Sequence, residues 1–208
     1  MEKNQNFVEL SGQALSVPIL SHENHGEQFY KFPLRVARLS GQYDIPTITV
    51  NANLLDDCPV LPDTSLYLRG QLRSYNNKTG TPPRLIISVL ARTLTGTEEG
   101  SCNTVRLCGT ICKPPTYRRT PLGRQICDMI LAVNRRYGRA DYLPCIAWGT
   151  VAQQTALLDV GESLCLEGRI QSRTYAKTLS TGQSEERTAY EVSVMRPLAP
   201  EEVLFPIF

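Results

Sequence analysis

The chain has 208 residues, 41% hydrophobic and 20% charged, with a formal net charge of +2, the composition of one or two ordinary globular domains. These figures exclude a disordered polymer, and no run of about 18 apolar residues offers a membrane-spanning helix. The N-terminal stretch MEKNQNFVEL lacks the apolar core of a secretory signal, so a cytoplasmic location is expected.

In chain order, the first patterned segment is NFVELSGQ (6–13). SHENHGE (21–27) reads as a polar loop; its His22 and His25 lie three apart with no further ligands in sequence, so a solvated loop is expected there and no metal site. RVARLSGQYDIPTITV (35–50) and LRGQLRS (68–74) follow, and GTEEGS (96–101) has the Gly, Ser and Glu content of a linker. The pattern then begins again. NTVRLCGT (103–110) matches NFVELSGQ 97 residues later. Leu131, Val133, Arg135, Gly138 and Asp141 match Leu34, Val36, Arg38, Gly41 and Asp44 at the same offset, and LEGRIQS (166–172) matches LRGQLRS after a one-residue slip, placed before Pro46 and Pro144. The chain is two copies of one unit. The expected domains are 5–97 and 102–197, with a short tail at 198–208.

The second copy is the clearer of the two. VRLCGTI (105–111) reads as a strand with an internal glycine, as a closing barrel needs. KPPTYRRTPLGR (113–124) reads as a loop, ICDMILAVNRR (126–136) as a long second strand and YLPCIAW (142–148) as a third. VAQQTALL (151–158) has helical character. In SLCLEGRIQSRTY (163–175), Leu164, Leu166, Gly168 and Ile170 alternate with Arg169, Arg173 and Tyr175. TLSTGQSEERT (178–188) reads as a polar hairpin loop and AYEVSVM (189–195) as the last strand. Five strands with a helix between the third and fourth define the expected fold: all-β, two tandem OB-folds, each a five-stranded Greek-key barrel.

Seven cysteines, odd in number and without a CxxC pair, are expected to be reduced and mostly buried thiols. Charge is uneven: residues 1–100 hold 9 Lys and Arg against 10 Asp and Glu, and residues 101–208 hold 13 against 10, which places basic surface in the second copy. Tyr142 and Trp148 share one side of their strand, with Leu143, Cys145 and Ala147 opposite. Arg169, Arg173 and Tyr175 share the outward side of theirs, Tyr137 follows Arg135 and Arg136, and Lys113, Arg118 and Arg119 precede the second strand. Any one of these rings could fill a core. Together, exposed rings among guanidinium groups suit single-stranded nucleic acid, whose bases stack for about 1–3 kcal/mol each and whose phosphates pair with arginine. Nothing in the sequence separates DNA from RNA. With two histidines, isolated carboxylates such as Asp128 and Asp141, and no phosphate-cradling glycine loop, no catalytic set can be assembled and no cofactor is expected.

NTVRLCGTICKPPTYRRTPLGR, LAVNRRYGRADYLPCIAWG and GESLCLEGRIQSRTY closely resemble, in order and spacing, the bacterial single-stranded DNA-binding protein family. The resemblance implies base stacking on Tyr137, Tyr142, Trp148 and Tyr175. It also implies phosphate contacts around Arg118 and on the strands bearing Arg135, Arg169 and Arg173; Lys113, Arg119, Arg136 and Lys177, beside them in sequence, complete the candidate set. It implies a role in replication, recombination and repair on the nucleoid, and a homodimer presenting four OB-folds. In the first copy the positions corresponding to Tyr137, Tyr142 and Trp148 read as Ser40, Ile45 and Val50, leaving Tyr43, Arg69, Arg73 and Tyr75 as weaker candidates. The ending RPLAPEEVLFPIF is similar to the family's acidic tip, with Glu201, Glu202, Phe205 and Phe208 able to recruit partner proteins; a segment packed on its own barrel is the alternative. An accessory OB protein of primosome or recombination type, acting through protein contacts, and a single-stranded RNA binder are the other readings.

Overall fold

Alternation of apolar and polar residues makes most segments of each half strands with one buried face. A computed structural model describes residues 5–77, 85–97, 100–135, 138–178, 184–199 and 202. The first half comprises β1 (Asn6–Ala14), β2 (Ile19–Asn24), β3 (Glu27–Ala37), β4 (Tyr43–Asp44), β5 (Thr47–Asn51), α1 (Ala52–Asp57), β6 (Ser65–Asn76) and β7 (Leu85–Gly96). The second comprises β8 (Asn103–Ile111), β9 (Thr116–Arg119), β10 (Gln125–Asn134), β11 (Ala140–Trp148), α2 (Gly149–Thr155), β12 (Ser163–Thr178) and β13 (Ser184–Pro197).

Each half closes into the expected barrel. In the first, β1 pairs β3, β3 pairs β5, β5 runs parallel to β7, and β7 returns through β6 to β1. In the second, β8, β10, β11, β13 and β12 repeat that circuit, again with one parallel pair, β11 and β13. Closure brings backbones into contact. A Cβ on Gly109 would lie 2.5 Å from the Ala132 carbonyl oxygen, and one on Gly12 would meet Arg35 in the equivalent place. Only glycine fits there. Leu34, Ile48, Leu68 and Leu72 fill the first interior, and Leu107, Leu131, Leu143 and Leu166 the second. Each such leucine contributes about 1.5–3 kcal/mol by leaving water.

Several sequence expectations are corrected. SHENHGE is not a loop but a hairpin: His25 and Gly26 both take positive φ at its tip, as a two-residue primed turn requires, and His22 stacks on Phe29 at 5.0 Å. KPPTYRRTPLGR likewise contains a strand, β9, antiparallel to β10. The helix α2 begins at Gly149 and ends at Thr155, earlier than VAQQTALL suggests, and Ser184–Thr188 of the supposed hairpin loop belong to β13. The thiols are not all free: Cys108 and Cys165, opposite each other on β8 and β12, form a disulfide. Cys127 and Cys145 are buried free thiols, and burial pushes Cys145 up to about 12.

The two barrels are joined by far more than a linker. β1 and β8 pair antiparallel, so one sheet runs through both. Val8 faces Val105, its own repeat equivalent, which places a pseudo-twofold axis through that pair. A reciprocal lock flanks it. Asp44 accepts from the Ser172 amide at 2.5 Å and pairs with Arg38, which donates to the Ser172 carbonyl at 2.7 Å. Across the axis, Asp141 accepts from the Ser74 amide at 2.6 Å and pairs with Arg135, which donates to the Ser74 carbonyl at 3.0 Å. Arg73 adds a second guanidinium to Asp141 at 3.0 Å. The Tyr190 hydroxyl donates to the Ile45 carbonyl at 2.5 Å. The supposed linker is also tied down: the Ser11 amide donates to the Cys102 carbonyl at 2.9 Å, and the Ser101 hydroxyl to the Ala37 carbonyl at 2.9 Å.

Candidate nucleic-acid interface

Strand β11 carries the central rings. Leu143, Cys145 and Ala147 point into the barrel, so Tyr142 and Trp148 must point out, and they are 52% and 36% exposed. The Trp148 indole N–H donates to the Ser193 hydroxyl on β13 at 3.2 Å, which fixes the ring edge and leaves part of its surface open. On β12, buried Leu164, Leu166 and Ile170 alternate with outward residues, and the Arg173 guanidinium lies 5.4 Å from the centre of the half-buried Tyr175 ring. That cation–π contact orients both groups. Beyond Tyr175 the β12–β13 ribbon continues out of the barrel and carries exposed Lys177.

The β9–β10 arm brings basic residues to the same side. Lys113, Arg118 and Arg119 are exposed. A trough of about 340 Å³ runs between the arm and the barrel, with Lys113, Arg118 and Arg173 on its walls and Met129 and Pro144 among its lining. Two carboxylates also line it, Asp128 and Glu191. Arg118 Nε donates to Asp128 Oδ2 at 2.6 Å, and Arg173 Nε lies 3.6 Å from Glu191 Oε2. Sequence reasoning missed both pairs. The signal for the first was TYRR, a turn containing Pro121 and Gly123, then RQICD, which is a strand–turn–strand pattern.

The remaining candidates divide. Arg169 is half-buried on the outward side of β12. Arg135 and Arg73 lie not on the open face but in the barrel-to-barrel lock around Asp141, and burial pushes the Arg73 guanidinium below its ordinary value. Arg69 is paired with Glu9 and Tyr67 beside the β1 ladder. Tyr43 and Tyr75 are exposed on the first barrel, with Arg35 over the Tyr43 ring at 5.3 Å. Tyr137, Arg136, Glu201, Phe205 and Phe208 lie outside the described residues. Glu202 turns back on its own barrel, bonded to Arg196 at 2.5 Å and to the Ala199 amide at 2.9 Å.

One correspondence between the copies is corrected. Asn51 stands opposite Phe29 as Trp148 stands opposite Ile126, so Asn51, not Val50, occupies the tryptophan's place. Val50 is buried and corresponds to Ala147. The one-residue slip falls after the third barrel strand, in the helical connection, and not before the prolines. Ile45 does correspond to Tyr142.

Comparison with known proteins defines the class. The model of the single-strand binding protein family matches residues 102–198. The single-stranded DNA-binding protein of Clostridium tetani is 36% identical over 80 residues, covering 35% of this chain and 55% of that protein. Single-stranded DNA-binding protein B of Bacillus subtilis is 38% identical over 80 residues, covering 35% of this chain and 71% of that protein. The chain belongs to the single-strand binding protein family. It spans about half the length of the first curated relatives it matches. The likeness of fold extends over both barrels: the crystal structure of the wild-type single-stranded DNA-binding protein from Thermus aquaticus superposes over 99% of this chain and 97% of that one, with a TM-score of 0.74 at 21% identity.

Proposed function

We propose that this chain binds single-stranded DNA, as the relatives' names describe for them, that it does so without sequence preference, and that it acts as a non-catalytic coat in replication, recombination and repair on the nucleoid. The observation that carries the reading is the outward pair Tyr142 and Trp148 on a strand whose other side is core, beside a trough walled by Lys113, Arg118 and Arg173. Bases stack on Tyr142, Trp148 and Tyr175, joined by Tyr137; phosphates pair with Arg118, Arg119, Arg173, Lys113 and Lys177, with Arg136 and Arg169 beside them. Residues 102–197 form the binding unit and 5–97 a mainly architectural one, with Tyr43 and Tyr75 as its remaining exposed rings. Two chains present four barrels as a homodimer, and the tail at 198–208, through Glu201, Glu202, Phe205 and Phe208, contacts partner proteins.

The test is titration of the full chain with oligo-dT while following Trp148 fluorescence. Strong, salt-sensitive quenching supports the reading. An unchanged spectrum, with no shift of labelled oligo-dT in a gel, overturns it, and equal affinity for oligo-U broadens the ligand to RNA.

A further inference from the structure

The trough pairs two of its basic side chains with carboxylates of its own. Arg118 is held by Asp128 at 2.6 Å. Arg173 lies 3.6 Å from Glu191, whose other oxygen accepts from Gln171 Nε2 at 3.0 Å. Glu191 is 7% exposed. A carboxylate half-way under a phosphate-binding wall works against phosphate, because it satisfies the guanidinium and repels the incoming charge. Asp128 and Glu191 offset most of the positive charge that Lys113, Arg118 and Arg173 bring to the trough.

The barrel frame does not require these acids. By strand register, Lys31 holds the Asp128 position in the first barrel, since Lys31 faces Thr49 as Asp128 faces Ile146. Ser88 holds the Glu191 position, since Ser88 faces Arg73 as Glu191 faces Gln171. The first barrel closes in the same way without either carboxylate. The acids therefore accompany the aromatic face and not the fold.

We infer that Asp128 and Glu191 are internal competitors with the DNA phosphate for Arg118 and Arg173, and that they set how tightly and how salt-sensitively the strand is held. Each arginine exchanges one oxyanion for another when the strand arrives or leaves. That exchange keeps the guanidinium satisfied throughout, so the strand can be given up without exposing a bare cation in the trough. The inference rests on single-stranded DNA being the ligand.

The experiment uses the full chain, fluorescein-labelled oligo-dT and anisotropy at several NaCl concentrations. Glu191→Gln, which keeps the shape and the Gln171 contact, is expected to bind about three- to tenfold tighter than wild type, and Asp128→Asn about twofold tighter. The slope of log K against log salt should steepen by roughly 0.7 per freed arginine. Unchanged or weaker binding with the wild-type slope overturns the inference while leaving the proposed function standing. Asp128 is half-exposed, so Asp128→Asn decides the matter alone if Glu191→Gln does not fold. A wild-type chain that fails to bind oligo-dT overturns both.

Discussion

The two barrels share one frame and differ in what stands on it. Glycine at 12 and 109, the Asp–Arg–Ser lock and the β1–β8 ladder obey the same pseudo-twofold relation. On the open face, Ile45 replaces Tyr142, Asn51 replaces Trp148, Lys31 replaces Asp128 and Ser88 replaces Glu191. Residues common to both copies are thereby assigned to closure and joining. The open-face residues present in one copy alone are the ones we propose serve the ligand.

The largest expected effect comes from the shared set. Asp141 is fully buried beneath two guanidiniums, so Asp141→Ala leaves uncompensated buried charge and should cost about 3–5 kcal/mol in denaturant unfolding; Asp44→Ala, with one guanidinium, should cost less. Equal costs would break the assigned asymmetry of the lock. Next comes the unshared set. Trp148→Ala should weaken oligo-dT binding by about 1–3 kcal/mol with little change in melting temperature, while Asn51→Ala should leave binding unaltered. A fall in stability without a fall in affinity would return Trp148 to the core.

Alkaline pH tests the interiors. Cys145 stands where the first barrel has Ile48, and burial raises its thiol from an ordinary value near 9 to about 12. The folded state holds that proton more tightly than the unfolded chain, so the contribution is intact below pH 9 and is lost as pH rises toward 12. Over this window stability should fall by up to about 1.4 kcal/mol per pH unit, and Cys145→Val should flatten the fall. The smallest effect is expected from Arg173→Ala, which should reduce the salt slope of oligo-dT binding by no more than about 0.7. An unchanged slope would mean that Arg173 faces no phosphate.

Much of this was legible in the sequence, and the exceptions have physical causes. The repeat, the barrels and the outward rings follow from period-two alternation and glycine spacing. Strands β2 and β9 were hidden because every residue of each is exposed, so neither shows the half-buried pattern that marks a strand. Asn51 was mistaken for Val50 because two prolines, Pro46 and Pro144, invited an alignment that the β3–β5 register does not follow. Arg135 read as a phosphate ligand because its partner Ser74 lies 61 residues away, on the other barrel. The Arg173–Glu191 pair depends on the register between β12 and β13, which composition does not fix.

The Val8–Val105 ladder has a consequence for dilution. Two separate barrels meeting through such an edge would part as concentration falls, whereas here one polypeptide supplies both edges and holds them at an effective concentration in the millimolar range. A symmetric pair must also write both partners with one sequence. Once the partners are tandem, one barrel can lose its rings and the other can gain its carboxylates, and neither change is imposed on the twin.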